Sequence, residues 1–332
     1  MAKEKTTRKA AKNAAASKKI AAAKSSVKAK NTKKAVGAVE VAPISAVVKG
    51  AAAEKTKAAP TTKKLAAASK APATPVSRLM KLYRVLGIVY LLQGLAVLLF
   101  GRNVTAPLTL QYPSIDTLAS EATGHQVVGI ANRHVADVHI AWILAIAMIV
   151  FAVIHLMLSS AYRNTVNASI ERGVNAFRWL SLGIGGGLLV VATALLSGIA
   201  SITLLLVLFV TVLAAALLTL GVEAIVANNN GAKTRLSHFL CGLATLAAIL
   251  PWLVFAIGVA GVLLWNGKLP TYLYSIYICQ ALLVGAFMLA THFRLKRKGK
   301  WADGLYGERG YLLLTLLTVT LLSWQIVIGA LK

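Results

Sequence analysis

Seven stretches of about 20 or more mostly apolar residues recur along the chain, and no other feature restricts its fold so strongly. They are Leu82–Gly101, Ala136–Ser160, Asn175–Leu196, Ile199–Val226, Leu236–Trp265, Pro270–Arg294 and Tyr311–Leu331. Each is long enough to cross the hydrocarbon core of a bilayer as a helix. Lipid offers no partner to a backbone N–H or C=O, so a single spanning segment must satisfy its own as a helix. The expected fold is therefore an all-α membrane protein, a bundle of seven transmembrane helices. A hydrophobic content of 58% agrees with this and argues against an ordinary soluble domain. Pro251 falls inside the fifth stretch and predicts a kink there.

The formal charge of +26 is unevenly spread. Residues 1–78 carry 19 of the 36 Lys and Arg but only 3 of the 10 Asp and Glu. This Lys/Ala-rich segment has few large apolar residues and no aromatic ones, so it cannot bury enough surface to offset its ordering entropy. It is expected to be a disordered basic tail, followed by a membrane domain over residues 79–332. It lacks the apolar stretch of a secretory signal. Anionic lipid is the partner expected for its lysines. Contact with nucleic acid is the weaker reading, because no aromatic side chain is interleaved for base stacking. The loops at 161–174, 227–235 and 294–309 fall on the same side as the tail and hold most of the remaining positive charge. That asymmetry predicts a cytoplasmic amino terminus and a carboxyl terminus outside a multi-pass plasma-membrane protein. The first outside loop, 102–135, is long. "VTAPLTLQYP" and "HQVVGIANRH" are expected to pair there as a short antiparallel ribbon that caps the bundle or meets a second subunit.

Enzymatic chemistry has no support in the sequence. There is no phosphate loop, no His/Glu metal helix and no nucleophile elbow, and no catalytic or metal-binding residue is assigned. Cys241 and Cys279 lie within apolar stretches without metal-ligand spacing and read as small buried residues.

A set of short motifs, weak singly, is ordered along residues 82–332: "LLQG" at 91–94, "NAFRW" at 175–179, "LGVEAIVANN" at 220–229, "PW" at 251–252, "KWADGLYGERGY" at 300–311 and "SWQIVIGAL" at 323–331. With the inside amino terminus and the long first outside loop, they resemble the heliorhodopsins, retinal proteins of inverted topology. The resemblance implies a homodimer and a retinal Schiff base on a lysine of the seventh helix. In the register set by Glu308, Tyr311, Leu314, Thr315, Thr318, Trp324 and Gln325, that lysine position is Val319. The counterion glutamate falls on Ser181 in "RWLSL", the following tyrosine on Leu182, and the first-helix histidine on Tyr90. No lysine lies within any of the seven stretches as delimited above. Valine has no amine and cannot form an imine, so covalent retinal is not expected. Loss of the glutamate with the lysine is physically coherent, because a buried carboxylate without its cation is unfavourable.

The expected function is a non-photoactive membrane module for binding or signalling. The alternatives are a receptor for a non-covalently bound apolar ligand, such as a retinoid or carotenoid, and a transporter or channel. The residues of a possible residual pocket are Val319, Ser181, Tyr90, His155, Thr315 and Trp324. Glu223 is expected near the cytoplasmic face, within reach of water, as a polar site, and Arg178 with Trp179 as an interfacial anchor. Gly185–Gly187 predicts close helix approach.

Overall fold

The computed structural model describes residues 75–229 and 231–331. The tail over residues 1–74 lies outside the described residues. The order of elements is α1 (Pro75–Phe100), β1 (Thr105–Asp116), α2 (Thr117–Thr123), β2 (Val127–His139), α3 (Ile140–Ser159), α4 (Arg163–Arg172), α5 (Ala176–Leu196), α6 (Ile202–Asn228), α7 (Arg235–Leu264), α8 (Thr271–Leu295) and α9 (Gly304–Ala330). A 3₁₀ turn, Gly299–Ala302, precedes α9. Among the described residues, seven of these helices are long and apolar enough to cross a membrane. They are α1, α3 and α5–α9.

Three boundaries differ by four residues or more from those predicted. α1 begins at Pro75, seven residues before Leu82, because proline favours the first helical turn and nothing after it breaks the helix. Arg78, Lys81 and Arg84 thus stand on α1, all exposed. Lys81 is the one lysine inside the seven described spans. α9 likewise begins before Tyr311, at Gly304, where Asp303 caps it by accepting from the Leu305 N–H at 2.9 Å. This brings Glu308 and Arg309 into the helix. Residues 136–139 belong to β2 rather than to the second span. The segment 161–174, read as a loop, contains α4, which ends at Gly173 in the left-handed conformation with φ of 75°. α7 runs on through Pro251.

The loop between the first two spans is a two-stranded antiparallel ribbon, longer than predicted. Its register runs from Thr105 opposite His139 to Asp116 opposite Val127, with an irregularity at Leu108/Thr109. Short α2 sits at its tip, capped by Asp116 through the Ala119 N–H at 3.0 Å. A bare ribbon is marginal by itself. This one is tied to the bundle by Thr109 N–H to Ala200 O at 2.8 Å, while next to it Arg102 N–H reaches Leu331 O at 2.7 Å. One end of the bundle carries the ribbon. The other carries α4 and the α6–α7 and α8–α9 connections, and is called the basic end.

The core runs along α1, α3, α5 and α9. Leu79, Tyr83, Tyr90, Leu144, Met148, Phe151 and Ile326 are all buried there. The glycine run of α5 permits close approach on two sides. A Cβ at Gly185 would lie 2.4 Å from the Phe151 ring of α3, and one at Gly187 would lie 2.7 Å from the Phe209 ring of α6. At Gly186 the nearest atom would be 3.6 Å away, an ordinary contact.

This contrast is testable by thermal unfolding in one lipid composition. Gly185→Ala is expected to destabilise by about 1–3 kcal/mol through overpacking. Gly186→Ala is expected to be neutral or slightly stabilising, since alanine is the better helix former by about 1 kcal/mol. Equal melting temperatures for the two variants would contradict this packing.

Candidate functional site

Two features are candidates for function: a buried ionic cluster at the basic end and a cavity within the bundle. The cluster starts from Asn175, the N-cap of α5, whose side-chain oxygen accepts the Arg178 N–H at 3.2 Å. That cap fixes the first turn of α5 and sets Arg178 facing inward. Its guanidinium pairs with two carboxylates, Glu223 on α6 and Glu308 on α9. The Trp179 indole N–H donates to Glu223 at 2.9 Å, and Asn175 donates its backbone N–H to the same oxygen at 3.4 Å. Glu308 also receives the Asn175 side-chain amide at 3.1 Å and the Tyr83 hydroxyl of α1 at 3.3 Å. The guanidinium lies over the Tyr311 ring at 4.3 Å and the Trp179 ring at 4.9 Å. Tyr83, Asn175, Arg178, Glu223, Glu308 and Tyr311 are all buried.

Two expectations are corrected here. Glu223 does stand near the basic end in a polar network, but it is 4% exposed and ion-paired rather than solvated. Arg178 and Trp179 do not point to the membrane interface, because two buried carboxylates would otherwise stand without a cation. Glu308 and Asn175, which entered the sequence reading only as motif positions, and Tyr83, which did not enter it, complete the cluster. The available signal was charge balance: among the few ionisable residues of the apolar segments, one arginine faces two glutamates once α9 is started at Gly304.

The six residues proposed for a residual pocket separate. Tyr90 and His155 pack with Phe151, their rings 5.3 Å apart, in the filled space between α1 and α3. His155 Nδ1 is 2.7 Å from the Phe151 carbonyl. Ser181 donates to the Arg178 carbonyl at 2.8 Å and Thr315 to the Tyr311 carbonyl at 2.7 Å, each within its own helix. Val319 is buried in the same core. Trp324 is half-buried and lines a groove between α8 and α9. None of the six lines the bundle's cavity.

That cavity, of about 560 Å³, lies among α5–α9. Small residues on four helices leave the space: Gly186, Ala215, Ala216, Ala244, Ala248 and Gly285. Trp179, Trp252 and Phe287 supply aromatic wall. The threonine hydroxyls of the wall are largely consumed locally. Thr193, Thr219, Thr245 and Thr318 donate to carbonyls four residues back, at 2.9, 2.7, 2.9 and 2.8 Å. The Gln280 amide reaches the Thr318 carbonyl at 3.5 Å. Apart from Gln280, Thr291 and the exposed His292, the wall is thus apolar in effect, and no lysine contributes to it. α7 packs along α6 but only loosely on α8, and Leu289 of the wall is itself exposed, so the cavity reaches the lipid-facing surface.

A family model described as Heliorhodopsin matches residues 79–331. No curated protein matches the chain significantly. The chain belongs to the heliorhodopsin family.

Removing the shared cation is the sharpest test of the cluster. Arg178→Met is expected to destabilise the bundle by about 3–5 kcal/mol, because two buried carboxylates lose their partner. Adding Glu223→Gln and Glu308→Gln to that variant should restore much of the melting temperature. A full loss of stability that the two added substitutions leave unchanged would mean that the cluster is not held by charge pairing.

Proposed function

We propose that this member of the heliorhodopsin family is a non-photoactive membrane binding module that holds an apolar ligand, of retinoid or carotenoid type, without a covalent bond. The observation that carries the reading is the 560 Å³ cavity with an apolar wall and no amine. Its size is within the usual range of small-molecule sites, about 300–1,000 Å³. A retinal Schiff base does not fit these residues. Lys81, the one lysine in the described spans, is exposed on α1, a helix that contributes nothing to the cavity wall. With Val319 at the family's lysine position, Ser181 at the counterion position is consistent with a site that has no iminium charge to balance.

A cytoplasmic basic end in the plasma membrane is part of this reading, supported by the charge asymmetry of the loops. So is a homodimer, supported by the exposed Leu110, Tyr112, Ile115, Val128 and Ile130 of the ribbon. The transporter or channel alternative draws less support, because the cavity wall is mostly apolar and the charged groups of the cluster are paired with one another.

The test is an absorption spectrum of the protein purified after expression with all-trans-retinal. A near-ultraviolet band that does not move to the red on acidification is expected, and Gly285→Trp, which fills the cavity from α8, should abolish it. With retinal the only polyene supplied, a visible band would overturn the reading, since retinal absorbs there only as a protonated imine. A protein that retains no retinoid or carotenoid would leave the ligand reading without its predicted occupant.

A further inference from the structure

A second, polar hollow of about 180 Å³ opens at the basic end, apart from the apolar cavity. Three arginines from different places in the chain line it: Arg172 at the last turn of α4, Arg294 in the last turn of α8, and Arg297 just beyond α8. Among the described residues, none of the three is in a salt bridge with a carboxylate. Glu223 forms part of the lining, but both its oxygens are occupied, one by Arg178 and the other by Trp179 and Asn175. Glu171 also lines it and is itself exposed. Uncompensated guanidiniums gathered around one hollow repel one another, and an anion between them relieves that repulsion.

Arg172 and Arg297 are exposed and Arg294 is half-buried, and two of the three are positioned by the backbone around them. Arg294 donates through Nη1 to the Asp303 carbonyl at 3.2 Å and the Trp301 carbonyl at 3.4 Å. A Cβ at Gly307 would lie 3.0 Å from Arg294 Cδ, so this glycine makes room for the side chain. Arg297 is held with φ of 49°, a conformation that ordinary side chains avoid. Its guanidinium lies against Gly231, where a Cβ would be 2.5 Å from Cζ. Loop charge that merely sets topology needs neither this convergence nor these clearances.

We propose that the hollow formed by Arg172, Arg294 and Arg297 is an anion site for a single phosphate group, supplied either by an anionic lipid headgroup or by a soluble phosphate. Guanidinium forks match phosphate oxygens in geometry as well as charge. The site does not depend on the apolar cavity being filled.

The full chain in phosphatidylcholine nanodiscs is titrated calorimetrically with inorganic phosphate at constant ionic strength. A parallel sample, in discs containing phosphatidic acid, is examined for retained lipid by native mass spectrometry. Saturable phosphate binding identifies a soluble anion, and retention of phosphatidic acid alone identifies a headgroup; either supports the site. Arg297→Gly suits the backbone at that position and keeps the fold, and with Arg294→Gln it should weaken binding by about tenfold or more. Lys298→Gln, which removes one neighbouring charge outside the hollow, should change it by less than about twofold. Binding of neither probe, or equal weakening by Lys298→Gln and Arg297→Gly, would overturn the proposal.

Discussion

The arrangement of this bundle turns on one guanidinium shared by two carboxylates. Arg178 is buried between Glu223 and Glu308, so it couples α5 to α6 and to α9, while Tyr83 brings in α1 through Glu308. Attraction between helices within lipid has no hydrophobic term to set register, and small displacements of apolar side chains differ little in energy. A buried ion pair does differ. Sliding any of these helices by one turn leaves a charge without a partner, which is unfavourable by several kcal/mol. The cluster thus fixes the relative heights of four helices at one end, and the Gln93–Thr320 pair continues the α1–α9 alignment further along.

From that anchor the molecule divides into a filled side and an open side. Between α1, α3 and α5, Tyr90, Phe151 and His155 occupy the space, with Phe151 seated against Gly185. Among α5–α8, alanine and glycine stand where larger residues would close the gap. The glycine run serves both sides: Gly185 and Gly187 accept aromatic rings from two neighbours, and Gly186 faces the cavity. Local hydrogen bonds matter on the open side as much as composition. A threonine bonded to its own helix four residues back adds little polarity to a wall.

The seven spans and the ribbon were legible in the sequence because length and alternation each report one dominant constraint, the bilayer in one case and strand pleating in the other. Helix ends were less legible. Apolar content alone placed the first and last spans at Leu82 and Tyr311, yet both helices start earlier and carry charge: Arg78, Lys81 and Arg84 are exposed, and Glu308 is paired with Arg178 of α5. The ionic cluster joins residues 83, 175, 178, 223 and 308, distant in the chain, and only packing brings them together. The register that marked Val319 and Ser181 located positions along helices. It did not tell which face of the bundle is hollow, and the wall is formed instead by neighbours such as Leu182, Thr318 and Leu322.

The loose seam between α7 and α8 sets how a cavity occupant would be supplied. An opening that faces hydrocarbon admits a molecule already dissolved in the bilayer, so the relevant reservoir is the membrane and not the surrounding water. Binding is then one leg of a thermodynamic cycle whose other leg is partition into lipid. Each buried CH₂ contributes about 0.8 kcal/mol to that partition step before the protein is met at all. Within lipid, an apolar wall gains nothing further from excluding water. What separates one occupant from another is shape and dispersion contact against Trp179, Trp252 and Phe287. Selectivity at such a site is steric, and its strength scales with mole fraction in the membrane.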